Sequence, residues 1–217
     1  MVVSDMAING IIHEVATKKR LLALTFDDGP DETYTPQLLQ VLAEYGAKAT
    51  FYMIGSSIES YSSVAREVHS QGHEIGNHTY NHPHLTKIAP AERKEQLERT
   101  DALIKELTGN SPATFRPPYI DFDEDVTAES AAMNYRMIGA VNMDASDWAN
   151  PGVDHIVSKT MEQVRDGGIL IFHDGYGDRS QTVEAVRLLL TDLKKQGYQF
   201  VTVSELLASA DNNANLQ

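Results

Sequence analysis

Thr25-Phe26-Asp27-Asp28-Gly29-Pro30 is the stretch that decides the fold of this chain. An apolar run from Leu21 to Phe26 leads into two adjacent carboxylates, and Gly29-Pro30 ends it. A short apolar run bounded by turn residues reads as a buried strand. Both aspartates therefore stand where the strand opens into a loop. Successive strand residues point to opposite sides, so one carboxylate can bind a metal while the other stays free to take a proton. Taken alone, Asp-Asp-Gly-Pro is an ordinary turn. Its weight comes from what ends the later strands.

Outward from that strand, the chain alternates. Helices are expected over about 35–45, 57–70, 90–107, 124–133, 154–164 and 182–195. Strands are expected over 49–54, 74–77, 113–116, 136–143, 169–172 and 199–203. Ser204 is expected to cap a last helix to about Ala208, and the polar residues after it to form a disordered tail over 209–217. Residues 1–19 read as an extension, in which Ile11 to Thr17 pairs back onto Leu21 to Thr25 across Lys18-Lys19. The main domain spans 20–208. Strands separated by helices imply parallel βα units, about seven of them, and their apolar cores suit a sheet covered on both faces. A closed or nearly closed barrel accommodates them, with an open doubly wound sheet as the alternative. No Gly-rich phosphate loop follows any strand.

The 217 residues carry a formal net charge of -13 and are 41% hydrophobic, enough for one sizeable core. The acidity argues against nucleic acid and anionic membranes as partners, since both need a basic patch. No run approaches a membrane span, and Met1 to Arg20 has no signal-peptide pattern. With no cysteine, thiolate metal sites and disulfides are excluded.

Five expected strands end in residues fit for chemistry. They deliver Asp27-Asp28, His78-Thr79-Tyr80-Asn81-His82, Arg116-Pro117-Pro118-Tyr119, Asp144-Ala145-Ser146-Asp147-Trp148 and His173-Asp174-Gly175. In a βα barrel the strand C-termini build the active site. His78 and His82 are four apart, a spacing that puts both imidazoles on one side of a helical turn. With Asp28 on the same rim, two histidines and a carboxylate suit zinc, cobalt, nickel or iron. His173 follows a buried run, with Asp144 and Asp147 ending the neighbouring strand. A carboxylate holding an imidazole raises its basicity, which makes His173 a candidate general acid. Arg116 is fit to orient a catalytic carboxylate. Trp148, the only tryptophan, is either core or a sugar-stacking wall. His84 is read as a surface residue.

Together these segments resemble the polysaccharide deacetylase family, carbohydrate esterase family four. The resemblance runs from about Lys19 to Leu207 and rests on TFDDGP at 25–30, HTYNH at 78–82, RPPY at 116–119, DASDW at 144–148 and LIFH at 170–173, in that order. It implies a single-domain distorted (β/α)7 barrel. It also implies metal-assisted hydrolysis of the acetyl group of N-acetylglucosamine in chitin or peptidoglycan. Asp28, His78 and His82 would hold one divalent metal, most often zinc, with cobalt or nickel as alternatives. Asp27 would be the base, held by Arg116, and His173 the acid, held by Asp147. The Tyr119 N–H would help stabilise the oxyanion, and Trp148 with Leu170 or Ile171 would line the acetyl-methyl pocket. Base and acid come from strands far apart in sequence and are expected to flank the substrate. Ile120 departs from the glycine usual after RPPY, and the acidic run Asp121-Phe122-Asp123-Glu124-Asp125 follows it. The chain is expected to act as a monomer on an N-acetylated glycan, and the resemblance implies an extracellular or cell-surface location if the chain is a mature form. Competing readings are an O-acetyl esterase on acetylxylan, a non-heme iron oxygenase with the same triad, and an inactive carbohydrate-binding barrel.

Overall fold

The computed structural model describes residues 5–8 and 10–214, and the side chains of residues 10–210. Its centre is a curled sheet of seven parallel strands. Strand β1 (Asp5–Ile8) and β2 (Ile11–Val15) precede β3 (Leu21–Asp27). Then come α1 (Tyr34–Glu44), β4 (Ala49–Met53), α2 (Gly55–Ser60), α3 (Ser62–Ser70), β5 (Glu74–Asn77), α4 (Pro90–Thr108), β6 (Thr114–Phe115), α5 (Glu124–Ala132) and β7 (Arg136–Met137). The chain ends with α6 (Val153–Gln163), β8 (Ile169–His173), α7 (Ser180–Lys195), β9 (Gln199–Phe200) and α8 (Val203–Ala214). The sheet order is β7-β6-β5-β4-β3-β8, with β9 paired to the start of β3. This is the distorted (β/α)7 barrel, not the open doubly wound alternative.

The ring is incomplete between its end strands β7 and β8. There Val141 N–H donates to the Ile169 carbonyl at 2.9 Å. The Asn142 side-chain amide takes both main-chain groups of Ile171, donating to its carbonyl at 3.1 Å and accepting its N–H at 2.7 Å. The expected strand over 136–143 is therefore only Arg136–Met137, because a side chain replaces the ladder beyond it.

Strand alternation sorts the core. On β3, Leu22, Leu24 and Phe26 pack outward with Phe51, Phe172 and the apolar faces of α1 and α7. Leu21 and Ala23 face the barrel floor with Ile12, Val15, Ile169 and the α8 residues Val203, Leu206 and Leu207. Above that floor lies a polar layer. Glu74 accepts hydrogen bonds from Thr50, Thr114 and Ser204 at 2.7–3.1 Å. The barrel floor is thus closed by the N-terminus of α8.

Several expectations need correction. The strand at Ile11–Val15 pairs antiparallel with β1, not with Leu21 to Thr25, and touches the barrel through bridges from Ile12 to Ile138 and from Glu14 to Gly168. The helix expected over 57–70 is two, parted at Tyr61 (φ −126°, ψ 46°) within the weak helix formers Ser60-Tyr61-Ser62-Ser63. The last helix is capped by Thr202 rather than Ser204. Thr202 Oγ1 accepts the Glu205 N–H at 3.2 Å and Glu205 accepts the Thr202 N–H at 2.8 Å, a reciprocal capping box. That helix runs to Ala214, into the region expected to be disordered; residues 215–217 lie outside the described residues.

Candidate active site

At the C-terminal mouth of the barrel lies a cavity of about 710 Å³. Asp27, Asp28, His78, His82, Tyr119, Asp147, Trp148, Ile171 and His173 all line it. Both aspartates of the opening stretch face it, against the alternation expected of them. Asp27 keeps the inward direction of Thr25. Asp28 has φ 76°, and this left-handed backbone turns its carboxylate back inward.

Asp28 meets the two histidines. His82 Nε2 lies 3.2 Å and His78 Nε2 3.5 Å from Asp28 Oδ1, which is buried and has no hydrogen-bond partner. The three candidate ligand atoms lie within 4.8 Å of one another. The set fits a metal ion. Donors about 2.0–2.1 Å from a tetrahedral zinc stand roughly 3.3 Å apart, close to both measured separations. His78 Nδ1 is 2.7 Å from the Arg116 carbonyl, so it donates there and leaves the Nε2 lone pair for a ligand. Burial, with the neighbouring His78, holds His82 down at about pKa 4, so its ring is neutral. Burial pushes the Asp28 carboxyl up, but the close approach of His78 and the potential of His173 and His82 outweigh it and hold it below the ordinary value.

The imidazoles do not share a helical turn. Residues 78–82 form a loop with positive φ at Thr79 (67°) and His82 (61°). Side chains of the neighbouring elements set its shape. Asn77 Oδ1 accepts the Thr79 N–H at 2.8 Å, and Thr79 Oγ1 accepts the His82 N–H at 3.1 Å. Gln96, buried on α4, accepts the N–H groups of Tyr80 and Asn81 at 3.0 and 2.9 Å.

Base and acid candidates are more closely placed than their sequence separation implies. Asp27 and His173 are register partners on adjacent strands, β3 and β8. Arg116, fully buried, donates to Asp27 Oδ1 at 2.7 Å and to Thr25 Oγ1 at 2.6 Å. Its remaining donors hold the carbonyls of Ile138 and Gly139, and its guanidinium lies over the Tyr52 ring. Asp27 Oδ2 is left toward the cavity, 3.8 Å from His78 Nε2. Asp147 Oδ1 accepts from His173 Nδ1 at 2.8 Å, while its Oδ2 accepts from the His173 N–H and from Thr182, both at 2.8 Å. Burial alone would lower the His173 pKa. Asp147 overrides it and the ring is raised to about 9, charged at neutral pH. Asp144, expected beside it, is exposed.

The walls divide the remaining expectations. Ile171 lines the cavity, whereas Leu170 points outward and is fully buried in the core, so Leu170 is corrected from pocket wall to core residue. Trp148 (60% exposed) stands at the mouth rather than in the core. Tyr119 and Ile120 both have positive φ, 59° and 53°. Glycine adopts that region freely and a β-branched residue rarely does, which accounts for the glycine expected where Ile120 stands. His84, read as a surface residue, stacks on the Tyr119 ring at 4.0 Å. The acidic run serves the backbone: Asp123 caps α5 through the Val126 N–H, and Asp121 accepts from Thr86. None of 121–125 lines the cavity.

Sequence reasoning missed Gln96, Tyr176 and Arg179, and gave Asp174 no role. Asp174 is fully buried. Its Oδ1 accepts the Gly29 N–H at 3.1 Å and its Oδ2 the Thr35 hydroxyl at 2.5 Å. Burial pushes it up to about 7. It follows the strand alternation that Asp28 breaks, and that alternation was the available signal.

The family model described as polysaccharide deacetylase matches residues 14–138. Over 199 residues the chain is 42% identical to a peptidoglycan-N-acetylglucosamine deacetylase of Bacillus cereus, covering 91% of this chain and 92% of that protein. It is 35% identical over 201 residues to a chitooligosaccharide deacetylase of a Bradyrhizobium species, covering 86% and 90%. The fold is similar to the crystal structure of the Bc1960 peptidoglycan N-acetylglucosamine deacetylase in complex with 4-naphthalen-1-yl-N-hydroxybenzamide, with a TM-score of 0.87, 30% identity and coverage of 91% and 92%.

Proposed function

The chain belongs to the polysaccharide deacetylase family, and from that premise we propose that it hydrolyses the N-acetyl group of N-acetylglucosamine residues in a glycan, using Asp27 as base and His173 as acid beside a divalent metal. It is a hydrolase of the deacetylase class. The observation that supports this reading best is the placing of a carboxylate and an imidazole side by side on adjacent strands. Asp27 presents a free carboxylate oxygen and His173 a charged ring to one cavity, next to Asp28, His78 and His82.

Asp28, His78 and His82 would hold the metal, and two imidazoles with a carboxylate suit zinc, with cobalt or nickel as alternatives. A cation bound there supplies Lewis-acid polarisation of the acetyl carbonyl and acidifies the attacking water. Arg116 occupies Asp27 Oδ1, so Oδ2 is the oxygen that takes the proton of that water. His173 Nδ1 is engaged by Asp147, so Nε2 gives its proton to the leaving amine, which amide cleavage requires. Acid and base of this kind each contribute about 10²–10⁴-fold. Tyr119 lines the cavity, and its N–H would help stabilise the developing oxyanion. Ile171 and Trp148 bound the space for the acetyl methyl.

Acetate release measured side by side on chitin oligomers, peptidoglycan and acetylxylan, with and without chelator, tests the reading. We expect release from the N-acetylglucosamine polymers, its loss in chelator, and its return with zinc or cobalt. Full activity of metal-free protein, or release from acetylxylan alone, would overturn it.

A further inference from the structure

Two exposed aromatic side chains at the mouth come from different loops. Trp148 follows Asp147, and Tyr176 follows the His173-Asp174-Gly175 turn. They are 60% and 58% exposed, and both line the cavity. Their backbones are far from free. Tyr176 has φ 56°, and Ser146 and Asn150 on either side of Trp148 have φ 43° and 52°. Non-glycine residues hold such conformations only where the surroundings impose them.

Arg179 ties the two loops together. Its side chain is buried, 5% exposed, and its guanidinium makes its hydrogen bonds to main-chain carbonyls. Nε donates to Gly175 at 2.7 Å, Nη2 to Tyr176, and Nη1 to Trp148 at 3.0 Å and Asp178 at 3.4 Å. One planar cation therefore grips the carbonyls of both aromatic residues. Two further straps join the same loops: Asn150 Nδ2 donates to the Asp178 carbonyl at 3.1 Å, and Gln181 Oε1 accepts the Gly152 N–H at 2.7 Å. Behind them Thr182 donates to Asp147, which holds His173. The Tyr176 ring in turn packs edge-on against His82, with centroids 5.8 Å apart.

We propose that Arg179 is a positioning residue for the glycan, fixing the two loops so that Trp148 and Tyr176 stand as a matched pair of stacking surfaces for its sugar rings. Apolar sugar faces bind aromatic rings, and a rigid ring loses little entropy in doing so. A fork of fixed geometry suits the task better than the single-point ammonium of lysine. This rests on the deacetylase reading, because it takes the glycan as ligand.

The test uses Arg179→Met, which keeps bulk and removes every donor, and Arg179→Lys, which keeps the charge without the fork. Steady-state acetate release is measured on the N-acetylglucosamine tetramer. Acrylamide quenching of Trp148, the chain's only tryptophan, is measured on the same samples. Arg179→Met should raise KM about tenfold or more while kcat falls less than about threefold, the mark of lost binding rather than lost chemistry. Quenching should steepen, and Arg179→Lys should fall between. Unchanged KM with unchanged quenching, or a loss confined to kcat, overturns the proposal. If Arg179→Met fails to fold by near-ultraviolet circular dichroism, Tyr176→Ala decides, since it removes one surface and leaves the clamp: a raised KM supports the pair, an unchanged one removes it. Absence of acetate release from any glycan by the unaltered chain would remove the ligand and the deacetylase reading together. An unchanged KM in an active enzyme removes only the clamp.

Discussion

Two neighbouring strands end in nearly the same words. β3 ends Phe26-Asp27-Asp28-Gly29 and β8 ends Phe172-His173-Asp174-Gly175, with Asp27 and His173 side by side in register. In each, the phenylalanine packs outward, the next residue faces the cavity, and an Asp-Gly pair follows. There the two diverge. Asp28 adopts φ 76° and turns into the cavity beside His78 and His82. Asp174 continues the strand outward and is buried against Gly29 and Thr35. Each turn needs the other's glycine. A Cβ on Gly29 would stand 2.3 Å from Asp174 Oδ2, and one on Gly175 would stand 2.2 Å from the Asp28 carbonyl. The same dipeptide thus gives a candidate ligand in one place and a brace for its loop in the other, and one backbone dihedral separates the two placements.

The largest effect comes from breaking the β3 side. Asp27→Asn keeps the three candidate ligands and removes the proton acceptor, so turnover should fall roughly 10²–10⁴-fold with metal content near one per chain. Asp28→Asn should lose metal, and added zinc should restore part of its turnover. Elemental analysis beside acetate release separates them; if Asp27→Asn is the variant that loses metal, the roles are exchanged.

The second effect is on stability and sharpens the contact between the two turns. Asp174→Ala leaves the Gly29 N–H without its carboxylate and should cost about 1–3 kcal/mol, a Tm lower by roughly 2–4 °C per kcal/mol in a chain of this size. Gly29→Ala drives a methyl into the same carboxylate. The double variant has room for that methyl and should be less destabilised than the sum of the singles. Thermal melts of the four proteins measure the coupling, and simple additivity would show that the turns do not brace each other.

How much of this was readable follows from the same residues. Strand ends, helix faces and the order of the chemical segments were legible because apolar periodicity and Gly-Pro punctuation are local. Alternation could also have separated Leu170 from Ile171, since only Ile171 shares a face with His173. What stayed hidden was set by dihedrals and by distant partners. Nothing near His78 says that Thr79 and His82 turn left-handed, so the four-residue spacing read as a helical turn. Gln96 and Arg179 act through carbonyls and N–H groups, which carry no residue identity. The brevity of β7 follows from a single amide, Asn142, standing in for a strand.

The smallest effect concerns the partner of each central residue. Arg116 holds Asp27 as Asp147 holds His173. His173 must be protonated to act as acid, so activity should be lost as pH rises through its pKa, raised to about 9 by Asp147 against the opposing effect of burial. Asp147→Asn removes that charge and leaves burial, which disfavours the imidazolium. The alkaline limb of kcat should therefore move to lower pH by about one unit or more, equivalent to about 1.4 kcal/mol per unit. An alkaline limb in the same place would assign it to another group.

The amide of Asn142 has a mechanical consequence. A ring sealed all round by ladders of hydrogen bonds widens only by unzipping a strand pair. This ring has a latch: beside Ile171 the wall is held by one side chain, with Val141 just beneath it. One point of compliance in the barrel therefore lies where Ile171 meets the loop bearing Trp148, while Asp27, on a strand paired along both sides, can stay fixed as that corner gives.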